Sequence, residues 1–241
     1  MADFQPIEER RLYMRIVKQI EEMIYRGELK RGDKLPSERE LKQKLNVSRA
    51  SIREAFSALE MVGIIESRPG EGTFIKQADG NNLLHPLSLI LMLEDNIVEE
   101  LVELRRVLEV DCARLASERA TAEDIKLLEE YVRVMDERAG YDDSCIKADR
   151  NFHYAIARAS GNRVLYDVMM AISEAMDFHI KNTRTALVSD VGTMRKFNVQ
   201  HKRILQAIKE HDPDGAMHAM REHLNYVEKL IRDKMNECEG G

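Results

Sequence analysis

The sequence predicts a mainly α-helical protein in two parts, and two observations carry that prediction. The first 76 residues contain short helical segments, followed by two apolar stretches on either side of a Gly-rich turn, which predicts a small β-hairpin. Beyond residue 82, apolar side chains recur at three- and four-residue spacing, without the alternation typical of strands. The second part therefore predicts an antiparallel bundle of about seven helices.

A polar stretch without periodicity, residues 77–82, separates the two parts. We interpret it as a linker between an N-terminal domain, 1–76, and an all-helical domain, 83–241. The net charge of −6 divides into +2 before residue 77 and −8 after residue 76. A mildly basic module joined to an acidic domain is typical of a nucleic-acid-binding protein with a second task.

Composition narrows the class of protein further. With 241 residues, of which 44% are hydrophobic and 33% charged, the chain has the composition of a soluble globular protein. The longest apolar run is too short to span a membrane, and the amino terminus lacks the apolar core of a secretory signal. Three cysteines without paired spacing favour a reducing compartment. We therefore expect a cytoplasmic protein.

The N-terminal part has the element order of a winged helix-turn-helix. Ser48 is a suitable cap for the second short helix, whose first turns carry Arg49, Ser51 and Arg53, side chains able to reach phosphates and base edges. The hairpin that follows has a tip where glycines, including Gly70, permit close approach to another surface. A small α+β domain with a solvated basic face is the open alternative.

About forty consecutive positions, from Pro36 to Phe74, resemble the DNA-binding signature of the GntR family of bacterial transcription regulators. The resemblance implies contacts to double-stranded operator DNA from Arg39, Arg49, Ser51, Arg53 and Gly70. Ala50 stands where a hydroxyl is common in the family, so one polar contact is missing from the pattern.

Four polar side chains interrupt apolar helical stripes in the second domain. Asp149 and His153 lie one turn apart on one helix, and His201 and His223 take inward positions on two later helices. One such histidine alone is usually a core residue satisfied by a hydrogen bond. Together, one carboxylate and three imidazoles suit a divalent transition metal: zinc, nickel, iron or manganese, of which zinc is favoured.

The other histidines are expected to have ordinary roles. His85, His211 and His218 fall off the apolar stripes or at helix ends, which predicts surface or capping positions. His179 follows an apolar row, so it is ambiguous, although packing is the expected role.

Arg105 is a further polar residue on a buried stripe. A buried arginine needs an anion, which is either an internal Asp or Glu or a bound carboxylate. Beside a metal, a small carboxylic acid could be gripped bidentately by the arginine while the metal takes an oxygen.

Residues from about 96 to 234 resemble the FCD ligand-binding domain of the FadR-like branch of the same family, on segments such as ELRRVLEVDCARLAS and ADRNFHYAIARASGN. The resemblance implies that Asp149, His153, His201 and His223 bind a metal and that the effector is a small carboxylic acid.

These observations predict a DNA-binding transcription regulator, expected to be a repressor, that a small carboxylic acid controls from a site beside a divalent metal. Homodimerisation follows from the recognition of twofold-related half-sites, and the family resemblance implies it as well. Two alternatives stay open. One is a metal-dependent enzyme acting on a small organic acid, although a general base and an HExxH helix are not evident. The other is a regulator with a purely structural metal.

Overall fold

Two compact units, Met1–Leu83 and Leu84–Gly241, make up the chain in the computed structural model. The structure describes residues 10–77, 84–137, 143–187 and 191–239. Apart from Gln77, the predicted linker at 77–82 lies outside the described residues. Within the described ranges, no helix has the length and apolar character needed to cross a membrane.

The N-terminal unit contains three helices and an antiparallel hairpin. Helix α1 spans Arg10–Tyr25, α2 spans Glu38–Leu45, α3 spans Arg49–Met61, and strands β1 and β2 cover Ile65–Arg68 and Gly72–Ile75. Helix α2 begins at a capping box, in which Ser37 Oγ accepts the Glu40 N–H while the Glu40 carboxylate accepts the Ser37 N–H. Asn46 ends α2 in the left-handed conformation, with φ of 52°, and turns the chain towards α3.

A small apolar core determines which face of α3 points outwards. Ile52 and Leu59 on α3 are almost completely buried, together with Ile16 and Ile20 on α1 and Ile65 on β1. Because these side chains occupy one side of α3, its polar positions are left on the opposite side.

The segment before α2 adds a short third strand to the hairpin. The Leu35 N–H donates to the Thr73 carbonyl at 2.8 Å, and the Ile75 N–H donates to the Asp33 carbonyl at 2.8 Å. Lys34 consequently pairs with Phe74 across the two segments. The sequence alone predicts only a turn-rich connector here.

The second unit is all-helical in its described residues and contains seven helices, as predicted. They are α4 (His85–Leu93), α5 (Val98–Arg119), α6 (Ala122–Glu137), α7 (Asp143–Ala159), α8 (Arg163–Leu187), α9 (Val191–Lys209) and α10 (Pro213–Glu239). Helix α5 packs against α7, α8, α9 and α10 and so lies at the centre of the bundle. Phe152 on α7 and Ile204 on α9 are completely buried in the core beside it.

Candidate functional site

The outward face of α3 presents two arginines. Arg49 and Arg53 are exposed, whereas Ile52 between them is fully buried. Ser48 caps the helix, because its Oγ accepts the Ser51 N–H at 3.1 Å. Both guanidinium groups therefore begin from the first turns of a fixed helix and are accessible to a duplex.

Ser51 does not share the exposed position that the sequence predicts for it. Only 5% of its surface is accessible, and its hydroxyl lies 2.9 Å from the Ser48 hydroxyl. The position follows from the helical repeat, since Ser51 lies beside Ile52 on the edge that turns towards the core. In this structure Ser51 belongs to the cap of α3 rather than to the face that carries Arg49 and Arg53.

Arg39 and the wing tip lie on the surface of the same unit. Arg39 is exposed on α2, and Arg53 Nε lies 3.3 Å from Glu38 Oε1, which links α3 to α2. Gly70 follows Pro69 in the turn between β1 and β2 and has φ of +78°. Its surroundings leave room for a Cβ, so the turn conformation, rather than a steric contact, favours glycine there.

Four helices of the second unit bring the predicted metal ligands together. His153 on α7, His201 on α9 and His223 on α10 are buried, and one ring nitrogen from each lies within 4.8 Å of the others. Asp149 on α7 lies at the edge of this cluster. Its Oδ1 is 3.3 Å from His201 Nε2 and 4.0 Å from His153 Nε2.

Several imidazole nitrogens in the cluster lack hydrogen bonds. Among the described residues, His153 Nε2 and both ring nitrogens of His201 are buried without a hydrogen-bond partner. Buried polar atoms in proteins are almost always satisfied, so unsatisfied nitrogens that converge on one point fit a ligand set for a metal.

The cluster favours neutral imidazoles, which are the form that ligates metals. Burial, together with neighbouring charges, lowers the pKa of His201 to about 4 and the pKa of His223 well below its ordinary value. Both rings therefore keep a lone pair available at neutral pH.

Glu109 is the residue of this site that the sequence analysis did not identify. Its carboxylate is 1% exposed and bonds to Arg105 Nε through one oxygen and to His153 Nδ1 through the other. Burial by itself would raise the pKa of Glu109, but Arg105 and His153 outweigh burial and lower it to about 2. The anion that Arg105 needs is thus internal, the first of the two possibilities that the sequence leaves open.

Two hydrogen bonds orient ligand rings from behind. An ionised Glu109 only accepts, so His153 Nδ1 donates to it and Nε2 keeps the lone pair. Likewise, His223 Nδ1 donates to Gln200 Oε1 at 3.1 Å, which leaves His223 Nε2 free for a metal. The position of Glu109, four residues after Arg105, was the only signal in the sequence for this arrangement.

The remaining histidines whose side chains are described lie elsewhere. His179 Nε2 bonds to the Leu91 carbonyl at 2.9 Å and joins α8 to α4. His211 ends α9 and bonds to the Ser117 carbonyl, while His218 is largely exposed. The side chain of His85 lies outside the described residues.

A winged helix-turn-helix with outward-facing arginines, attached to a helical domain with a buried polar cluster, defines the class of DNA-binding transcription regulators. Sequence profiles agree with this class. The profile of the FCD domain matches residues 100–226, and that of the bacterial regulatory proteins of the gntR family matches residues 12–75. The chain belongs to the GntR family, in the group that carries an FCD domain.

Individual relatives extend over nearly the whole chain. The transcriptional regulator LutR of Bacillus subtilis is 35% identical over 216 residues, which cover 89% of this chain and 99% of LutR. The putative L-lactate dehydrogenase operon regulatory protein of Escherichia coli K12 is 32% identical over 229 residues, covering 92% and 87% of the two chains. These relatives are regulators, which excludes the enzyme alternative.

A solved structure supports the same fold. The structure described as Streptococcus agalactiae GntR superposes with a TM-score of 0.60 at 29% identity and covers 90% of this chain and 99% of its own. The predicted fold, a winged helix-turn-helix with a helical second domain, is thereby confirmed.

Replacing Glu109 with Gln should destabilise the second unit strongly. The substitution keeps the shape of the side chain but leaves Arg105 buried without its counter-charge, which costs about 3–5 kcal/mol when one partner of a buried pair is removed. Urea denaturation, with the free energy of unfolding as the readout, measures the effect. The matched control is Glu103→Gln, an exposed position on the same helix. Equal stability of the two variants would contradict the role given to Glu109.

Proposed function

We propose that this protein is a metal-containing repressor that binds operator DNA as a homodimer and responds to a small carboxylic acid. The observation that carries the proposal is the buried cluster, in which converging imidazole nitrogens without partners lie close to an arginine. DNA binding itself is the property of the family. The metal, the acid and the dimer go beyond it.

Asp149, His153, His201 and His223 would hold the metal. Three neutral imidazoles and one carboxylate are the donor set expected for zinc, the favoured ion, and they are compatible with nickel, iron or manganese. When bound, the ion would supply positive charge and coordination positions for an oxygen ligand. The protein supplies the orientation, through Glu109 behind His153 and Gln200 behind His223.

Arg105 supports the choice of an acid as the effector. Burial would lower the pKa of Arg105, but Glu109 and Asp149 outweigh burial and raise it, so the guanidinium stays charged. Only its Nε is bonded to Glu109, and the other N–H groups remain for a carboxylate. The name of the Escherichia coli relative, which refers to an L-lactate dehydrogenase operon, supports an acid of similar size.

Homodimerisation would place two copies of α3 on twofold-related half-sites of one operator. An effector can then control DNA binding only if it binds the DNA-competent and the DNA-incompetent arrangements with different affinity. Coupling of this kind typically changes affinity by a factor of about 5 to 150. Repression follows when the dimer covers its operator in the absence of the acid.

A regulator with a purely structural metal is the second candidate, and one contact favours it. Glu109 already neutralises Arg105 from within the fold, so the arginine does not require an external acid. This candidate predicts that small acids leave operator affinity unchanged.

Replacing Arg49 or Arg53 with Ala should abolish operator binding while leaving thermal stability nearly intact. Both side chains are exposed, and the ion pair between Arg53 and Glu38 is a surface pair of the kind that contributes about 0–1 kcal/mol. Fluorescence anisotropy with labelled operator duplex measures binding, and a melting curve measures stability. Wild-type affinity of both variants would rule out α3 as the recognition helix.

The double substitution His201→Ala and His223→Ala should remove bound metal, because it eliminates two of the three clustered imidazoles. Protein stripped with a chelator and reloaded with zinc would be analysed by elemental analysis and titration calorimetry. His218→Ala, on the exposed side of α10, is the matched control and should keep its zinc. Stoichiometric zinc in the double variant would refute the assignment of these ligands.

The metal-loaded wild-type protein should melt at a higher temperature with L-lactate or a related small acid, since a ligand of the folded state stabilises it by about 2.7 kcal/mol at a hundred times Kd. Lactamide, which lacks the charge, should have no effect. Arg105→Lys should lose the response and keep the metal, because lysine lacks the planar donor pair. If no acid alters melting or operator affinity, the metal is structural.

A further inference from the structure

The outward side of the hairpin carries a defined set of side chains, which we call the wing face: Lys34, Glu66, Arg68, Gly72 and Phe74. Strand pairing brings them together. Phe74 pairs with Glu66 on one side and with Lys34 on the other, and Arg68 pairs with Gly72 in the next row of the same face. Paired residues share a side of the sheet, so these five positions lie on one surface.

The opposite side of the hairpin fixes the orientation of the wing face. Ile65 pairs with Ile75, and these side chains are only 1% and 5% exposed because they pack in the core of the unit. Side chains alternate along a strand, so the wing face must point away from the core. Its direction is therefore set by buried apolar contacts and does not depend on the charges themselves.

An aromatic ring holds two cations on the wing face. The guanidinium carbon of Arg68 lies 4.5 Å from the centre of the Phe74 ring, and Lys34 Nζ lies 5.8 Å from it. Both distances are within the range in which the ring attracts a cation. Phe74 thus restricts two side chains that would otherwise move freely in solvent.

Gly72 leaves the space through which the Lys34 side chain runs. A Cβ on Gly72 would come within 2.9 Å of Lys34 Cε, and the φ of +113° at this position also favours glycine. The stem of Lys34 therefore passes over Gly72, two residues from the wing tip at Gly70. Its ammonium group is carried towards the part of the hairpin that is predicted to meet DNA.

The two cations differ in their partners. Arg68 Nε bonds to Glu66 Oε1 at 2.9 Å, so much of its charge is neutralised within the hairpin. Within the described ranges, Lys34 forms no ion pair with a carboxylate. Lys34 is therefore the member of the wing face with charge available for another molecule.

We propose that Lys34 contacts a DNA phosphate beside the wing, with Phe74 and Gly72 holding its side chain in place. A point charge aimed at a phosphate adds affinity but reads no base, so the contact should be independent of sequence. This inference rests on the DNA binding of the family and on neither the metal nor the acid. It can fail while those proposals stand, and the reverse also holds.

The test compares wild-type protein with Lys34→Ala, Lys34→Arg and Lys229→Ala, the last an exposed lysine on α10 that controls for loss of one charge. Two probes are used: a duplex selected by the wild-type protein from randomised DNA, and a shuffled duplex of the same length and composition. Dissociation constants are measured by anisotropy over a range of salt concentrations, and melting curves confirm that each variant is folded.

For Lys34→Ala we expect weaker binding to both duplexes by the same factor, with the slope of log K against log salt smaller by about 0.9, the value for one phosphate contact. Lys34→Arg should keep the wild-type slope, and Lys229→Ala should resemble the wild type. An unchanged slope in Lys34→Ala, or a loss confined to the selected duplex, would overturn the proposal.

Phe74→Leu tests the positioning role of the ring separately. Leucine retains apolar contact but has no aromatic face for the cation, so binding to both duplexes should weaken while the charge of Lys34 is intact. Wild-type affinity of this variant at every salt concentration would show that the ring does not position Lys34.

Discussion

The pairing of Glu109 with Arg105 and His153 is the constraint on which the helical domain depends. A carboxylate that is 1% exposed is tolerated only when both of its oxygens have strong partners, and here one partner is a guanidinium and the other an imidazole. Because Glu109 lies on α5 and His153 on α7, the pair fixes the two helices against each other. It also fixes the ring of His153, whose second nitrogen faces the cluster.

The other members of the cluster are held by the apolar core around them. The His201 ring packs against the Phe152 and Phe197 rings, with ring centres 5.1 and 6.5 Å apart respectively. The polar groups therefore sit within a rigid apolar surround, where burial keeps the imidazoles neutral. A cavity of this kind can take a cation without rearranging its ligands, which is the physical basis for proposing a metal there.

The DNA-binding unit solves a different problem, which is how to keep charges outside a small core. Ile52 and its apolar neighbours turn α3 so that Arg49 and Arg53 face solvent, and Ile65 and Ile75 turn the hairpin so that the wing face does so too. In both elements the buried residues decide where the cations point. The affinity for a polyanion is thus a consequence of apolar packing as much as of basic composition.

Local patterns in the sequence determined most of the helices, both caps at the start of α2 and α3, and the hairpin, because capping boxes and apolar periodicity act within a few residues. They also indicated Asp149 and the three inward histidines. Tertiary structure alone decided three matters. It paired Glu109 with His153 across two helices, buried Ser51 in the cap of α3, and placed Lys34 beside Phe74 through strand pairing. Contacts between elements depend on how their faces pack in three dimensions, and spacing along one element carries no information about its partner.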